Sequence, residues 1–420
     1  MINKDIPGFR EVPKTGVIYV MQKASELGFT YDNNEWSNLG QGSPETSEIN
    51  LAPDRIYNLS IDANHQEYSP VAGMKELREK VAEFYNKIYR KDKSSKYTYQ
   101  NVCIAGGGRQ ALTRIASALD DINVGHFIPD YTAYEELLSV FKGFNTIPIL
   151  LNSQKKYQLS PEDLKNQIAG LGLSAVLISN PCNPTGQVIR GENLKEWVNT
   201  SNKYSCTLIF DEFYSHYIYN RPENEKFKMV SASEFVDDVN IDPVIIVDGL
   251  TKNWRYPGWR ISWILGPKTI IDAVSSAGSF LDGGANNPFQ KQAISLLEPE
   301  FAIQETIAIQ KHFKMKRDYM LERLTKMGIV IEAVPEGTFY FWANLSKLPE
   351  PLNNGMSFFQ EGLKYKFITV PGIFFDVNPG KRRGGINAHY QNYCRISFGP
   401  ELNKLKTGLD SMEIMINSFK

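Results

Sequence analysis

Cysteine is scarce in this 420-residue chain. Its four thiols, Cys103, Cys182, Cys206 and Cys394, lie far apart and form no CxxC or Cys/His spacing. The pattern indicates neither a disulfide framework nor a metal site, and the four read as buried thiols. Charge of one sign is missing as well. Lys plus Arg total 46 against 47 Asp plus Glu, so the net charge is -1 and no field attracts nucleic acid or an anionic membrane. The expected partner is a small molecule. No apolar run approaches the roughly 18 residues that suggest a membrane span, and Met1-Ile2-Asn3-Lys4-Asp5-Ile6-Pro7 lacks the apolar h-region of a secretion signal. A cytoplasmic location is the expectation.

What the chain does have is a 42% hydrophobic content over a length that accommodates two or three domains. Residues 1–60 read as an irregular arm, with turn chemistry at Pro7-Gly8, Asn33-Asn34 and Gly40-Gln41-Gly42-Ser43-Pro44. Met74, Leu77, Val81, Phe84, Tyr85 and Ile88 then recur at helical spacing. Five apolar runs follow, each ending in a polar turn: Val102 to Ala105, His126 to Ile128, Ala175 to Ser179, Thr207 to Phe210 and Val244 to Val247. Short apolar runs alternating with helical patterns predict an α/β fold, a large domain around a mainly parallel buried sheet flanked by helices. In such sheets ligands sit beyond the carboxyl ends of the strands, so the polar segments converge on one crevice.

After Pro299 a long helical stretch runs to Gly328. Strand-like pieces at Ile329 to Ala333, Thr338 to Ala343, Phe367 to Val370 and Tyr393 to Phe398 alternate with a helix near Phe358 and a last one from Leu402 to Ile416. They predict a smaller α+β domain, on which the N-terminal arm packs. The expected division is 1–60 for the arm, 61–298 for the large cofactor-binding domain and 299–420 for the small domain. Asn378 to His389, with Lys381-Arg382-Arg383-Gly384-Gly385, reads as a mobile basic loop.

The segment Val247-Asp248-Gly249-Leu250-Thr251-Lys252-Asn253-Trp254-Arg255-Tyr256-Pro257-Gly258-Trp259-Arg260 carries the chemistry. A strand presents a lysine from a fixed backbone, and an arginine nearby is placed to hold an anionic group of whatever the lysine binds. This is the layout of a lysine held for covalent work. A surface turn with solvated charges has the same local sequence, so the segment needs the rest of the chain to decide.

Asn183-Pro184-Thr185-Gly186, Asp211 with Tyr214, Gly249-Leu250-Thr251-Lys252 with Arg260, and Arg395-Ile396-Ser397-Phe398 stand in that order. Together they resemble the class I/II aminotransferases of the fold-type I pyridoxal-phosphate enzymes, over nearly the whole chain from Gly40 to Phe398. The resemblance implies an enzyme that moves an amino group from an L-amino acid to a 2-oxo acid. It makes Lys252 the residue that holds pyridoxal 5′-phosphate as a Schiff base, the internal aldimine, and afterwards carries the proton. A free lysine titrates near 10.4, so this role needs burial and cationic neighbours, for which Arg260 and Arg255 are at hand.

By the same resemblance Asp211 pairs with the pyridine nitrogen, while Asn183 and Tyr214 donate to the phenolic oxygen. A helix N-cap is the plainer alternative for Asp211, and a turn between two prolines for Asn183. Gly107, Gly108 and Arg109 open a helix whose N–H groups suit a phosphate, with Arg260 and Thr251 as further donors. Tyr131 matches the aromatic on the ring face, or a core residue. Arg395 matches the fork for the α-carboxylate, or a structural ion pair. Tyr68 resembles a tyrosine lent by a neighbouring subunit, which implies a homodimer. Gly42 resembles a close backbone approach to substrate.

Gly249 stands where family members commonly have serine, and Arg255 and Ser262 replace a small residue and a glycine. Some family members place a basic residue where Arg109 stands and read a distal carboxylate with it, so the resemblance implies acidic substrates. Against this, no arginine occurs between Arg260 and Arg317 to match the partner-chain carboxylate reader of other members, and Gly337-Thr338-Phe339-Tyr340-Phe341-Trp342, which matches a pocket-lining stretch, has an aromatic content that suits a bulky side chain. Rival readings are a β-lyase, decarboxylase or cyclising synthase on the same scaffold, a dehydrogenase using Gly106-Gly107-Gly108-Arg109 as a dinucleotide loop, and a binding protein that keeps the cofactor only as a ligand. The second lacks GxGxxG spacing and leaves Lys252 and Asp211 without roles.

Overall fold

The computed structural model describes residue 14 and residues 16–141, 143–220, 229–384 and 388–420. The start Met1 to Pro7, the turn at Pro7-Gly8 and Gly385 of the basic loop lie outside the described residues. The arm expected to be irregular contains a helix, α1 (Gly16–Glu26), which buries Gly16, Val20 and Ala24. Its Tyr19 ring lies between Phe359 and Phe374. A two-residue strand β1 (Ser37–Asn38) follows. The β-branched and glycine-bearing opening of α1 hides its helical period, and burial on a distant part of the chain supplies the stability that propensity lacks.

Helix α2 (Lys75–Ile88) buries Leu77, Val81, Phe84 and Tyr85 on one face, as the spacing predicts. The large sheet is built from β2 (Val102–Ala105), β3 (Asn123–Ile128), β4 (Asn145–Leu150), β5 (Ala175–Ser179), β6 (Thr207–Asp211), β7 (Val244–Gly249) and β8 (Ser262–Leu265). Their order is β2-β8-β7-β6-β5-β3-β4. The pairings from β4 through β7 are parallel, and β8 runs antiparallel to both β7 and β2. All five expected strands are present. Two more were not anticipated: β4 at the sheet edge, which tolerates Pro148 there, and β8, which doubles back directly after the lysine segment.

Between the strands lie α3 (Gly108–Ala118), α4 (Tyr134–Val140), α5 (Pro161–Leu171) and α6 (Gly191–Tyr204), and after β8 come α7 (Lys268–Leu281) and α8 (Asn287–Leu296). Ser160 caps α5 by accepting from the Asp163 N–H, with Pro161 in the first turn. Helix α9 (Pro299–Lys326) then spans 28 residues and leads to the C-terminal part.

There β9 (Tyr340–Asn344), α10 (Gly355–Lys364), β10 (Phe367–Ile368), β11 (Val370–Pro371), β12 (Tyr393–Ser397) and α11 (Leu402–Ser418) form the smaller α+β layer. Strand β12 lies between β11 and β9, antiparallel to each. β10 pairs with β1, so the arm is stitched to this layer. The strand expected at Ile329 to Ala333 reduces to one bridge, Val330 to Asn344. The piece at Phe367 to Val370 divides at Thr369 between two sheets. Of the described residues of the basic loop, Arg383 donates to Asp376 Oδ1 at 2.6 Å and Lys381 pairs with Glu135. Among the described residues, no helix is long and apolar enough to cross a membrane.

Candidate active site

The carboxyl ends of β5, β6 and β7 lie side by side, with Ser179 opposite Asp211 and Asp211 opposite Val247. Beyond them opens a cavity of about 820 Å³ that Lys252, Asp211, Asn183, Tyr214, Arg260 and Arg395 help to line. Gly42, Gly108, Arg109, Tyr131 and Thr251 line it too. Residues expected from separate segments of the sequence therefore share one space. Gly107 lies just behind, with φ of +100°, and a Cβ there would overlap the Arg260 guanidinium. Only glycine lets that arginine lie against the turn that opens α3. Tyr68 does not line the cavity and is fully exposed.

Lys252 is held from both sides. Its carbonyl accepts from the Tyr217 hydroxyl at 3.1 Å. The next residue, Asn253, is buried and donates to Asp248 Oδ1 at 2.8 Å and Ser215 Oγ at 2.9 Å, while accepting from the His216 N–H. The Lys252 amine reaches the Gly42 carbonyl of the arm. Burial, then the charges of Arg395, Arg260 and Arg109, lower its pKa to about 7, partly offset by Asp211. Arg255 does not serve the purpose expected of it. It is fully buried, pairs with Glu305 at 2.6 Å and donates to the Ser47 carbonyl at 2.7 Å, so it fastens the lysine segment to the arm.

Asp211 is buried, and its Oδ2 accepts from the Tyr134 hydroxyl at 2.7 Å. Burial raises its pKa to about 6 against the pull of Tyr134, the Phe213 N–H and Lys252. Arg395 is buried, donates to Asn183 Oδ1 at 3.0 Å and to the Gly40 carbonyl at 2.9 Å, and lies 4.1 Å from the centre of the Tyr340 ring. Its Nε has no partner among the described residues, nor has the buried Thr251 hydroxyl. Both are donors kept available. The Tyr214 and Tyr340 hydroxyls share a hydrogen bond of 2.9 Å. Arg109 lays its guanidinium on the Tyr131 hydroxyl, with Nε at 3.3 Å and Nη2 at 3.1 Å.

Sequence reasoning missed Tyr134 and Tyr217, and it named Asn253 and Tyr340 only within stretches. Tyr217 follows Tyr214 by one more step of the spacing that separates Asp211 from Tyr214, a signal that was there to be used. Nothing local marks Tyr134, because its partner arrives from another strand.

Two departures in the lysine segment turn out to be one. Gly249 and Ser262 face each other across β7 and β8. A Cβ at Gly249 would stand 2.6 Å from the Ile261 carbonyl and 2.6 Å from Ser262 Cα. The hydroxyl sits on the other strand instead, where Ser262 donates to the Ala105 carbonyl at 3.1 Å and ties down the strand that leads into Gly107. Gly249→Ser is therefore expected to cost about 1–3 kcal/mol through overpacking. Adding Ser262→Gly should recover only part, since the Ile261 carbonyl remains. Denaturant midpoints of the two variants check this; an unchanged Gly249→Ser midpoint would show that the strands part freely.

Residues 34–411 match the family model described as aminotransferase class I and II. The aspartate aminotransferase of Thermotoga maritima is 28% identical over 387 residues, covering 91% of each chain. The probable aspartate/prephenate aminotransferase of Aquifex aeolicus is 28% identical over 348 residues, 81% of this chain and 84% of that one. Among solved structures, an aminotransferase from Mycobacterium tuberculosis superposes with a TM-score of 0.78 at 23% identity, covering 97% of both chains.

Proposed function

The chain belongs to the class I and II aminotransferase family, and from that premise we propose how its own residues move an amino group from an L-amino acid to a 2-oxo acid. It is a pyridoxal-phosphate-dependent enzyme, as the family is. The donor set suits that cofactor. The cavity offers Arg260, the first-turn N–H groups of α3 and the Thr251 hydroxyl, which has no partner among the described residues, to a phosphate, and the buried Asp211 carboxylate to a cationic ring nitrogen. When bound, pyridoxal phosphate supplies a carbonyl carbon that exchanges amines and a ring that draws electrons from the amino acid Cα.

The observation that carries the reading is that Lys252 shares one cavity with a buried carboxylate and a buried arginine, a setting that lowers its pKa to about 7. Near neutral pH a large share of Lys252 is the free base, so Nζ is a nucleophile and then a carrier for the Cα proton. Asp211 holds the ring nitrogen in its protonated form. Arg395 grips the α-carboxylate, with Nε free to join the contact. Asn183 gives its oxygen to Arg395 and so directs its NH₂ elsewhere, which with the Tyr214 hydroxyl makes a pair of donors for the phenolic oxygen. Gly107, Gly108, Arg109, Thr251 and Arg260 take the phosphate, Tyr131 takes the ring face, and Gly42 lets the arm come close to substrate.

Tyr68 belongs, on this reading, to the active site of a second copy. It is fully exposed on a segment tied to the start of α8, where Asn287 donates to the Glu67 carbonyl at 3.0 Å. Ile61 on the same segment and Phe280 on α7 are exposed as well, which suits a homodimer face. The division into an arm (1–60), a large domain (61–298) and a small domain (299–420), and a cytoplasmic location, complete the proposal.

Incubating the loaded enzyme with paired amino donors and 2-oxo acids tests it, together with borohydride trapping of cofactor on Lys252. Stoichiometric exchange of the amino group is the expected result. Ammonia or carbon dioxide in place of a new amino acid would assign a lyase or decarboxylase instead.

A further inference from the structure

The cavity has two unlike halves. The polar half holds the residues already given roles. The other is walled mainly by Val17 and Ile18 of α1, Leu112 of α3, Leu137 and Val140 of α4, and Phe141, with the small hydroxyls of Thr113 and Thr132 among them. Ile18 and Val140 stay more than half exposed, so among the described residues apolar area at the rim lacks a cover. Helix α1 is anchored in this position by Tyr19 against Phe359 and Phe374.

Among the described residues, the cations that line the cavity are engaged in its polar half. Arg395 is held by Asn183 and Gly40, and Lys252 by Gly42. Arg260 lies on the Gly107 turn. Arg109 turns onto the Tyr131 hydroxyl, and its charge lowers the pKa of Lys252 and of Arg260, so it stands with the phosphate-side cluster. From α4 the charged residue that lines the cavity is Glu136, and a second carboxylate on a substrate would meet it as a like charge.

We propose that the half of the cavity walled by α1, α3 and α4 receives a large uncharged side chain, aromatic by preference, and disfavours the distal carboxylate of an acidic amino acid. The inference rests on the aminotransferase reading and gives it a substrate class. It assigns Val17, Leu112, Leu137 and Phe141 as the residues that determine specificity. Glu136 is the repulsive element, since discrimination against a competitor needs one as well as an attractive pocket.

The test follows the first half-reaction alone, as loss of the enzyme-bound cofactor's visible absorbance with phenylalanine or aspartate and no acceptor. Phenylalanine is expected to react with a kcat/KM at least about tenfold above that of aspartate. Val140→Lys, at an exposed rim position, should move the ratio toward aspartate by about tenfold while leaving the cofactor spectrum unchanged, and Glu136→Gln should move it the same way by less. Binding gives a second readout: 3-phenylpropionate should bind the loaded enzyme more tightly than succinate in calorimetry. Aspartate reacting as fast as phenylalanine, or succinate binding more tightly than 3-phenylpropionate, overturns the inference. If no amino acid reacts, the aminotransferase reading fails, and the two carboxylates still decide the chemistry of the pocket.

Discussion

Lys252→Ala should lower amino transfer by at least about 10³-fold, because one substitution removes both the amine that carries the cofactor and the base that moves the Cα proton. Borohydride should then leave no label on the chain. The phosphate donors are untouched, so the variant should still take up cofactor reversibly, which separates loss of chemistry from loss of binding. A second consequence concerns pH. Lys252 in the cofactor-free protein titrates near 7, below the ordinary lysine value of 10.5. Over that interval the unfolded chain binds the extra proton and the folded chain does not. Stability therefore rises with pH from about 7 toward 10, as the unfolded lysine also loses its charge. Lys252→Ala should abolish that rise. Equal slopes in wild type and variant would mean that burial and the charges of Arg395, Arg260 and Arg109 do not lower the pKa of the amine.

Much of this arrangement is legible in the sequence, for a physical reason. A parallel sheet buried on both faces writes its strands as short apolar runs, and whatever follows each run lands on one rim. That is why Asn183, Asp211 and Lys252, far apart in the chain, share a cavity. The residues that resist such reading have partners fixed only by packing. Tyr134 reaches Asp211 from another strand-helix turn. Helix α1 reaches the cavity from the arm, with an irregular period and an anchor in α10 and beyond. Arg255 is the instructive case. Its place near Lys252 in sequence suggested an electrostatic neighbour, yet the left-handed backbone at this residue, φ of 57°, accompanies a side chain directed to Glu305 and the arm. Gly249 and Ser262 were two anomalies in the sequence and one cross-strand pair in the fold.

Asp211→Asn should pull activity and stability in opposite directions, and that opposition is its signature. In the loaded enzyme the substitution removes the anion that keeps the ring nitrogen protonated. Truncating one side of a buried charge pair costs about 2–5 kcal/mol, so a rate loss of roughly 10²-fold or more is expected. In the cofactor-free protein the same carboxylate is a liability. Burial raises its pKa from 3.8 to about 6, so between those values the folded chain binds a proton that the unfolded chain has lost. Stability falls as pH rises through this window, by roughly 2–3 kcal/mol in all at 1.36 kcal/mol per pKa unit. The introduced amide would not ionise, and its oxygen can still accept from the Tyr134 hydroxyl. The cofactor-free variant should therefore match wild type near pH 4 and exceed it at pH 7. Cofactor should reverse the order, because a cation against Asp211 returns the carboxylate to its ionised form at no loss. Thermal melts of both proteins, empty and loaded, at the two pH values give the four comparisons needed. If the empty variant is less stable than wild type at pH 7, Asp211 is a structural residue held by Tyr134, and its place opposite the ring nitrogen has to be given up.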